Sequence, residues 1–189
     1  SIVANVMYSL IALEGPQSSY KDSLAYVYFN KRNYVSCFLV TNDLLKTKPK
    51  NLELLEMNAV SLESMGALEK SKEAYEKLFA MTNDNYHAYK LAGIEFRMNQ
   101  NEGAYATIKK AGQISGNEGL KITFQVNENY NQNVELKAAI AYLEGLIAVS
   151  LNKSVEAKAS FERAIQIFPD FVLAKSKLEI LNAKQTEKK

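Results

Sequence analysis

The sequence predicts an all-α fold built from antiparallel helix pairs, and three observations carry that prediction. Helix breakers are sparse in 189 residues, with three prolines and eight glycines, while helix formers fill the stretches between short polar breaks. A small residue recurs at Ala25, Ala59 and Gly93, in steps of 34 positions. A repeat of that length is one supersecondary unit that must stack on its neighbours to bury its apolar side. The rhythm then breaks, because the next small residue in the series is Gly145, 52 positions on.

The elements follow in order. A first helix is expected over Ile2 to Leu13, ending at the Gly15-Pro16 turn signal. Ser18 or Ser19 offers an N-cap for a helix through Phe29, and the polar break Asn30-Lys31-Arg32-Asn33 separates it from Tyr34 to Lys46, with Pro49 beyond the end. The next pair is expected over Leu52 to Ser64 and Ala67 to Met81, divided near Gly66. A third pair covers Tyr86 to Met98 and Glu102 to Ile114, divided by Asn99-Gln100-Asn101.

The excess of 18 residues falls where the pattern changes. Ile122, Phe124 and Val126 alternate with Thr123, Gln125 and Asn127, which is strand periodicity. The Asn-rich run from Asn127 to Asn133 is a turn-rich break, so an extended or hairpin-like insertion is expected at about 119–135. A last pair follows over Leu136 to Leu151 and Val155 to Phe168, closed by Pro169, then a helix from Phe171 to Asn182 and a Lys-rich tail.

Composition narrows the function classes. The chain is 47% hydrophobic and 23% charged, ordinary for a globular protein. Its net charge is +2 and its lysines are scattered, which argues against nucleic acid. No apolar run reaches the roughly 18 residues that cross a bilayer. One histidine, His87, and one cysteine, Cys37, exclude the usual two-histidine zinc motif, and no Gly-rich phosphate loop or nucleophile elbow is present. No catalytic residue, cofactor or metal is therefore expected. Asn152-Lys153-Ser154 has glycosylation spacing but reads as turn chemistry.

The residues around the small positions resemble those of tetratricopeptide-repeat proteins. The best unit has Gly145, Ala157, Phe161, Ala164 and Pro169 in the family's small, alanine, aromatic, alanine and proline places. The first unit keeps Leu24, Ala25, Tyr28, Tyr34, Cys37 and Pro49 but departs at Thr41 and Leu44. The second keeps Ala59, Leu62, Gly66 and Tyr75, with Ser71 for alanine and Asn83 for proline. The third keeps Tyr89, Gly93 and Phe96, and fits through Ala104, Ile108 and Ala111 only if its turn is one residue shorter. The resemblance implies a right-handed superhelix in a single domain. Its repeats would cover 19–49, 53–83, 87–115 and 136–169, with an N-terminal helix or half repeat at 1–14, the insertion at 116–135, a capping helix at 170–183 and a frayed tail at 184–189. It extends loosely to repeat proteins of bacterial cell envelopes, where a secreted or lipid-attached leader would precede Ser1; the cytoplasm is the alternative.

In that family the first helices line a groove that takes a peptide or protein. The matching stripe here carries Asp22, Tyr26 and Phe29, then Glu56, Val60 and Glu63, then Lys90, Ile94 and Arg97, then Tyr142, Leu146 and Val149. Members that hold chaperone C-terminal carboxylates use Lys, Asn and Arg at fixed groove positions. The corresponding places here are Asp22, Tyr26, Met57, His87 and Leu91, which is no such clamp. The expected function is thus a non-catalytic interaction scaffold. One alternative gives the work to the insertion, through strand addition or self-association, so that deleting 119–134 would abolish association and spare helical content. Another is a hydrolase using Cys37, with His87 as its base, or a carboxylate.

Overall fold

A computed structural model describes residues 2–15 and 18–186, excluding the side chains of 184–186. The turn signal at Pro16 and the last three residues of the tail lie outside the described residues. Ten helices and one antiparallel hairpin are described: α1 (Ile2–Glu14), α2 (Tyr20–Asn30), α3 (Tyr34–Thr47), α4 (Leu52–Ser64), α5 (Leu68–Thr82), α6 (Asn85–Arg97), α7 (Asn101–Gln113), β1 (Lys121–Asn127), β2 (Tyr130–Glu135), α8 (Leu136–Ser150), α9 (Ser154–Ile167) and α10 (Val172–Thr186). The expected helix pairs all form, and α10 continues past its expected end at Asn182. The chain gathers into two compact units, residues 1–81 and 82–189.

Each pair turns through one residue in the left-handed region: Arg32, Gly66, Asn99 and Asn152, with φ of 54°, 77°, 59° and 58°. Arg32 follows Ala25 by seven positions, Gly66 follows Ala59 by seven and Asn152 follows Gly145 by seven, but Asn99 follows Gly93 by six. The third turn is one residue shorter, as its side-chain register required. Helix starts are capped where the sequence supplies Asn or Asp. Asn33 Oδ1 accepts from Ser36 N, Asn51 Oδ1 from Leu54 N, and Asp84 Oδ1 from Tyr86 N and His87 N. At α2 the bond is displaced by one residue: Ser19 makes no side-chain cap, and Ser18 Oγ accepts from Tyr20 N while donating to Glu14 Oε2.

In the first unit Leu24, Ala25, Tyr28, Cys37, Leu44, Leu54 and Met57 form the core, with Met7 and Ile11 of α1 against it. Two of the places where this unit departs from the repeat pattern, Thr41 and Ser71, are held by hydrogen bonds. Buried Thr41 donates to Cys37 O at 2.8 Å and accepts from Asn58 Nδ2 at 3.0 Å. Ser71, in an alanine place, donates to Ala59 O at 3.1 Å, which ties α5 to α4. Thr41→Val is expected to destabilise the protein by about 1 kcal/mol, because Asn58 then keeps a buried donor without its acceptor. Urea denaturation checks this, and Thr41→Ser should restore most of the loss.

The second unit is built around α8, which is apolar on nearly every side. Val134, Ala138, Ala141, Tyr142, Ala148, Ala157, Phe161, Ala164, Phe171 and Ala174 form its core. Chain leaving α7 reverses through positive φ at Gly116, Asn117 and Gly119. That reversal is held by Asn85, fully buried, whose Nδ2 donates to Ile114 O and Gly116 O while its Oδ1 accepts from Asn117 Nδ2. β1 and β2 then pair in the register Ile122↔Val134 and Phe124↔Gln132, with an irregularity between Gln125 and Asn127. Asn127 Oδ1 closes the turn by accepting from Asn129 N. Leu136 N donates to Leu120 O at 2.9 Å, so the hairpin returns to where it began.

Candidate functional site

The first-helix stripe divides by unit. In the first unit Asp22, Tyr26 and Phe29 lie on α2, and Glu56, Val60 and Glu63 on α4, two neighbouring first helices. Tyr26 is 44% exposed, and its hydroxyl donates to Glu53 Oε2 at 2.8 Å, bridging the two helices. That bond to a carboxylate, with some desolvation, raises the tyrosine pKa. Asp22 pairs with Lys48 Nζ at 2.7 Å, and Lys21 pairs with Asp43 at 2.7 Å, lowering the Asp43 pKa. Phe29 is half-buried, edge-on to Tyr34. On this face Tyr26 and Glu53 are exposed, while Asp22, Phe29, Glu56 and Glu63 are half-buried.

In the second unit the stripe runs over α6 and α8. Arg97 is exposed and Lys90 half-buried, but Ile94 is 1% exposed and serves as core. Tyr142 also departs from the expectation of a presented groove residue. It is 6% exposed, and its ring lies among Phe124, Phe161 and Phe171 at centroid separations of 5.5, 5.8 and 4.9 Å. Leu146 is half-buried against the same cluster. The physical reason is the hairpin: Ile122, Phe124 and Val126 form its inward row, and Phe124 lays its ring on α8. The stripe at the fourth repeat is therefore covered by the chain itself at Tyr142 and partly at Leu146, while Val149 stays 41% exposed.

Gln132 belongs to the same closure and the sequence reading passed over it. It sits in the Asn-rich run, yet it is in phase with Val134, the other inward position of β2, and with Leu136 at the start of α8. Its Nε2 donates to Asp170 O and its Oε1 accepts from Val172 N at 3.1 Å, so one amide brackets the start of α10. Gln132→Ala is expected to cost about 1 kcal/mol and to speed amide exchange in the first turn of α10. Unchanged exchange at Val172 would contradict the bracket.

The proposed nucleophile–base pair finds no support in its surroundings. Cys37 is fully buried, and burial raises its thiol pKa, with Ser61 opposing, so the reactive thiolate is disfavoured. His87 belongs to the other unit, where its Nδ1 lies 2.9 Å from Thr82 Oγ1. Met57 and Leu91 are core residues, so these places of the chaperone clamp are closed as well as chemically different. Among the described residues no helix is long and apolar enough to cross a membrane.

Helix pairs in 34-residue register, with small residues where first and second helices meet, define the tetratricopeptide-repeat fold. No family model matches the sequence, and no curated protein matches it either. Solved structures do. The chain is similar to MamA, at 17% identity over 88% of this chain and 81% of that one, with a TM-score of 0.71. It is also similar to YrrB, described as a tetratricopeptide-repeat protein with an unusual peptide-binding site, at 15% identity over 93% and 88%, with a TM-score of 0.72. PilF of Pseudomonas aeruginosa matches at 16% identity over 88% and 68%, with a TM-score of 0.69. At these identities the likeness is one of fold.

Proposed function

We propose that the protein is a non-catalytic scaffold that binds a protein or peptide through the first-helix face of its first unit, over Asp22, Tyr26, Phe29, Glu56 and Glu63. The observation that carries this reading is the exposed Tyr26, held by Glu53 across two successive first helices. A preoriented aromatic in a polar surround is the kind of residue that anchors an interface. Peptide binding by the similarly folded YrrB supports the class of partner. In the second unit Lys90 and Arg97 give α6 polar first-helix positions of its own, whereas Ile94 and Tyr142 are buried and Leu146 half-buried. The test is affinity capture with the intact protein, followed by Tyr26→Ala and, separately, Arg97→Ala. A partner lost with Tyr26→Ala at unchanged circular dichroism supports the reading. A partner retained by both variants, or the absence of any specific partner, overturns it.

Self-association through the hairpin is the second reading, favoured by one observation: a two-stranded sheet leaves one edge of each strand unpaired. Deleting 119–134 is a poor test, because it removes Phe124 and Val134 from the core. Gln125→Pro, at an exposed position of β1, is cleaner. If sedimentation shows a dimer, the substitution should dissociate it; a monomeric wild type ends the idea.

A further inference from the structure

α8 has two working sides. Tyr142 and Leu146 face the hairpin, and a half-turn away Lys137, Ile140 and Glu144 face a cleft of about 480 Å³ between α7, α8 and α9. That volume lies within the range of ligand sites, 300–1,000 Å³ being typical. The cleft lies wholly inside the second unit, on the side of α8 away from Tyr142 and Leu146, so it does not depend on the first-helix stripe.

Its chemistry is one-sided. Lys109 of α7, Lys137 of α8 and Arg163 of α9 line it against a single carboxylate, Glu144. Glu144 is already engaged by the Arg163 guanidinium. Lys137 has only a long contact to exposed Glu118, 3.8 Å, and Lys109 stands 5.5 Å from the centre of the Tyr105 ring. Lys137 also lies in the first turn of α8, whose N-cap residue Glu135 makes no side-chain cap bond, and the helix dipole there favours an anion. Just beyond the C-terminus of α7, Asn85 Nδ2 takes the Ile114 and Gly116 carbonyls, so these two are engaged. Between the cations the lining includes half-buried Ile167 and the small accessible part of Ile140, which is 4% exposed.

We infer that this cleft binds an acidic peptide segment, seating a carboxylate at Lys109 and Lys137 beside the Arg163–Glu144 pair and an adjoining apolar side chain on Ile167. An inorganic anion would meet the charge but fill a small part of the space and leave Ile167 wet. A carboxylate with an apolar neighbour satisfies both.

The test uses the intact protein and a short fluorescein-labelled peptide alternating Asp and Leu, read by fluorescence anisotropy at low and moderate salt. Saturable binding is expected, weakened by salt and absent for a Lys-Leu peptide of equal length. Lys109→Gln with Lys137→Gln, both at exposed positions, should weaken it about tenfold at unchanged circular dichroism. Lys46→Gln with Lys50→Gln and the Tyr26→Ala variant should leave it unchanged. The proposal is overturned by no saturable binding, by equal loss in the Lys46/Lys50 control, or by loss with Tyr26→Ala, which would put the peptide on the first helices. Displacement by inorganic phosphate at the concentration of competing unlabelled peptide would also overturn it, showing a bare anion site.

Discussion

Phe171→Ala is expected to lower the stability of the second unit by about 3–5 kcal/mol, the range for deleting a fully buried ring. Phe171 is 0% exposed and stands where three elements meet. Its ring centre is 5.1 Å from Phe124 of the hairpin, 4.9 Å from Tyr142 of α8 and 6.3 Å from Phe168 at the end of α9. Truncation leaves a cavity that β-sheet and helix cannot both collapse into, because Gln132 holds the backbone of β2 and α10 at a fixed separation. Urea denaturation should show the loss, and hydrogen exchange should rise over 121–135 and 172–183 before it rises in α8 and α9. A shift below about 1 kcal/mol would mean that the ring is not what joins these elements.

The second large effect separates two glycines that look alike. Gly93 and Gly145 fill the same repeat position, yet a Cβ at Gly145 would lie 2.5 Å from Phe161 Cε1 and 2.7 Å from Cδ1, whereas one at Gly93 would meet only Leu143 Cδ2 at 3.9 Å. Phe161 is itself fully buried beside Tyr142 and cannot retreat. Gly145→Ala should therefore incur overpacking near the top of its usual range, about 3 kcal/mol, less the ~1 kcal/mol that alanine gains over glycine in a helix. The net expectation is a loss of about 2 kcal/mol. Gly93→Ala meets ordinary van der Waals distance and should gain up to about 1 kcal/mol. Melting temperatures that move in the same direction for both variants would refute this assignment of roles.

Those glycines also show how far the sequence reaches. The 34-residue step predicts that both positions must be small, because close approach of first and second helix is a local property of each pair. It does not reveal that one site faces a rigid ring and the other has room, since that depends on what fills the slot opposite. The short third turn at Asn99 was legible for the same local reason, as were the inward and outward rows of the hairpin. The destination of the inward row was not. Strand alternation says that Phe124 has an apolar side, but nothing local says that this side closes over Tyr142. Hence Tyr142 reads as a presented groove residue when it is buried; Ile94 on α6 is buried as well. Lys109, Lys137 and Arg163 are each unremarkable in sequence and converge only through the packing of three helices.

The bond from Leu136 N to Leu120 O has a further meaning for how such a chain can change. An excursion whose two ends meet adds no net displacement to the path of the backbone, so the repeat after it resumes as though nothing intervened. The hairpin is in this sense a parenthesis in the array. Its tip at Glu128 and Asn129 is exposed and outside both inward rows, so it can lengthen without altering the phase of α8. Closure entropy grows only slowly with length, about 0.6 kcal/mol for each doubling of a flexible loop. A flexible epitope tag inserted between Glu128 and Asn129 should accordingly leave the urea midpoint nearly unmoved, whereas the same tag at Asn117, inside the Asn85 clasp, should lower it.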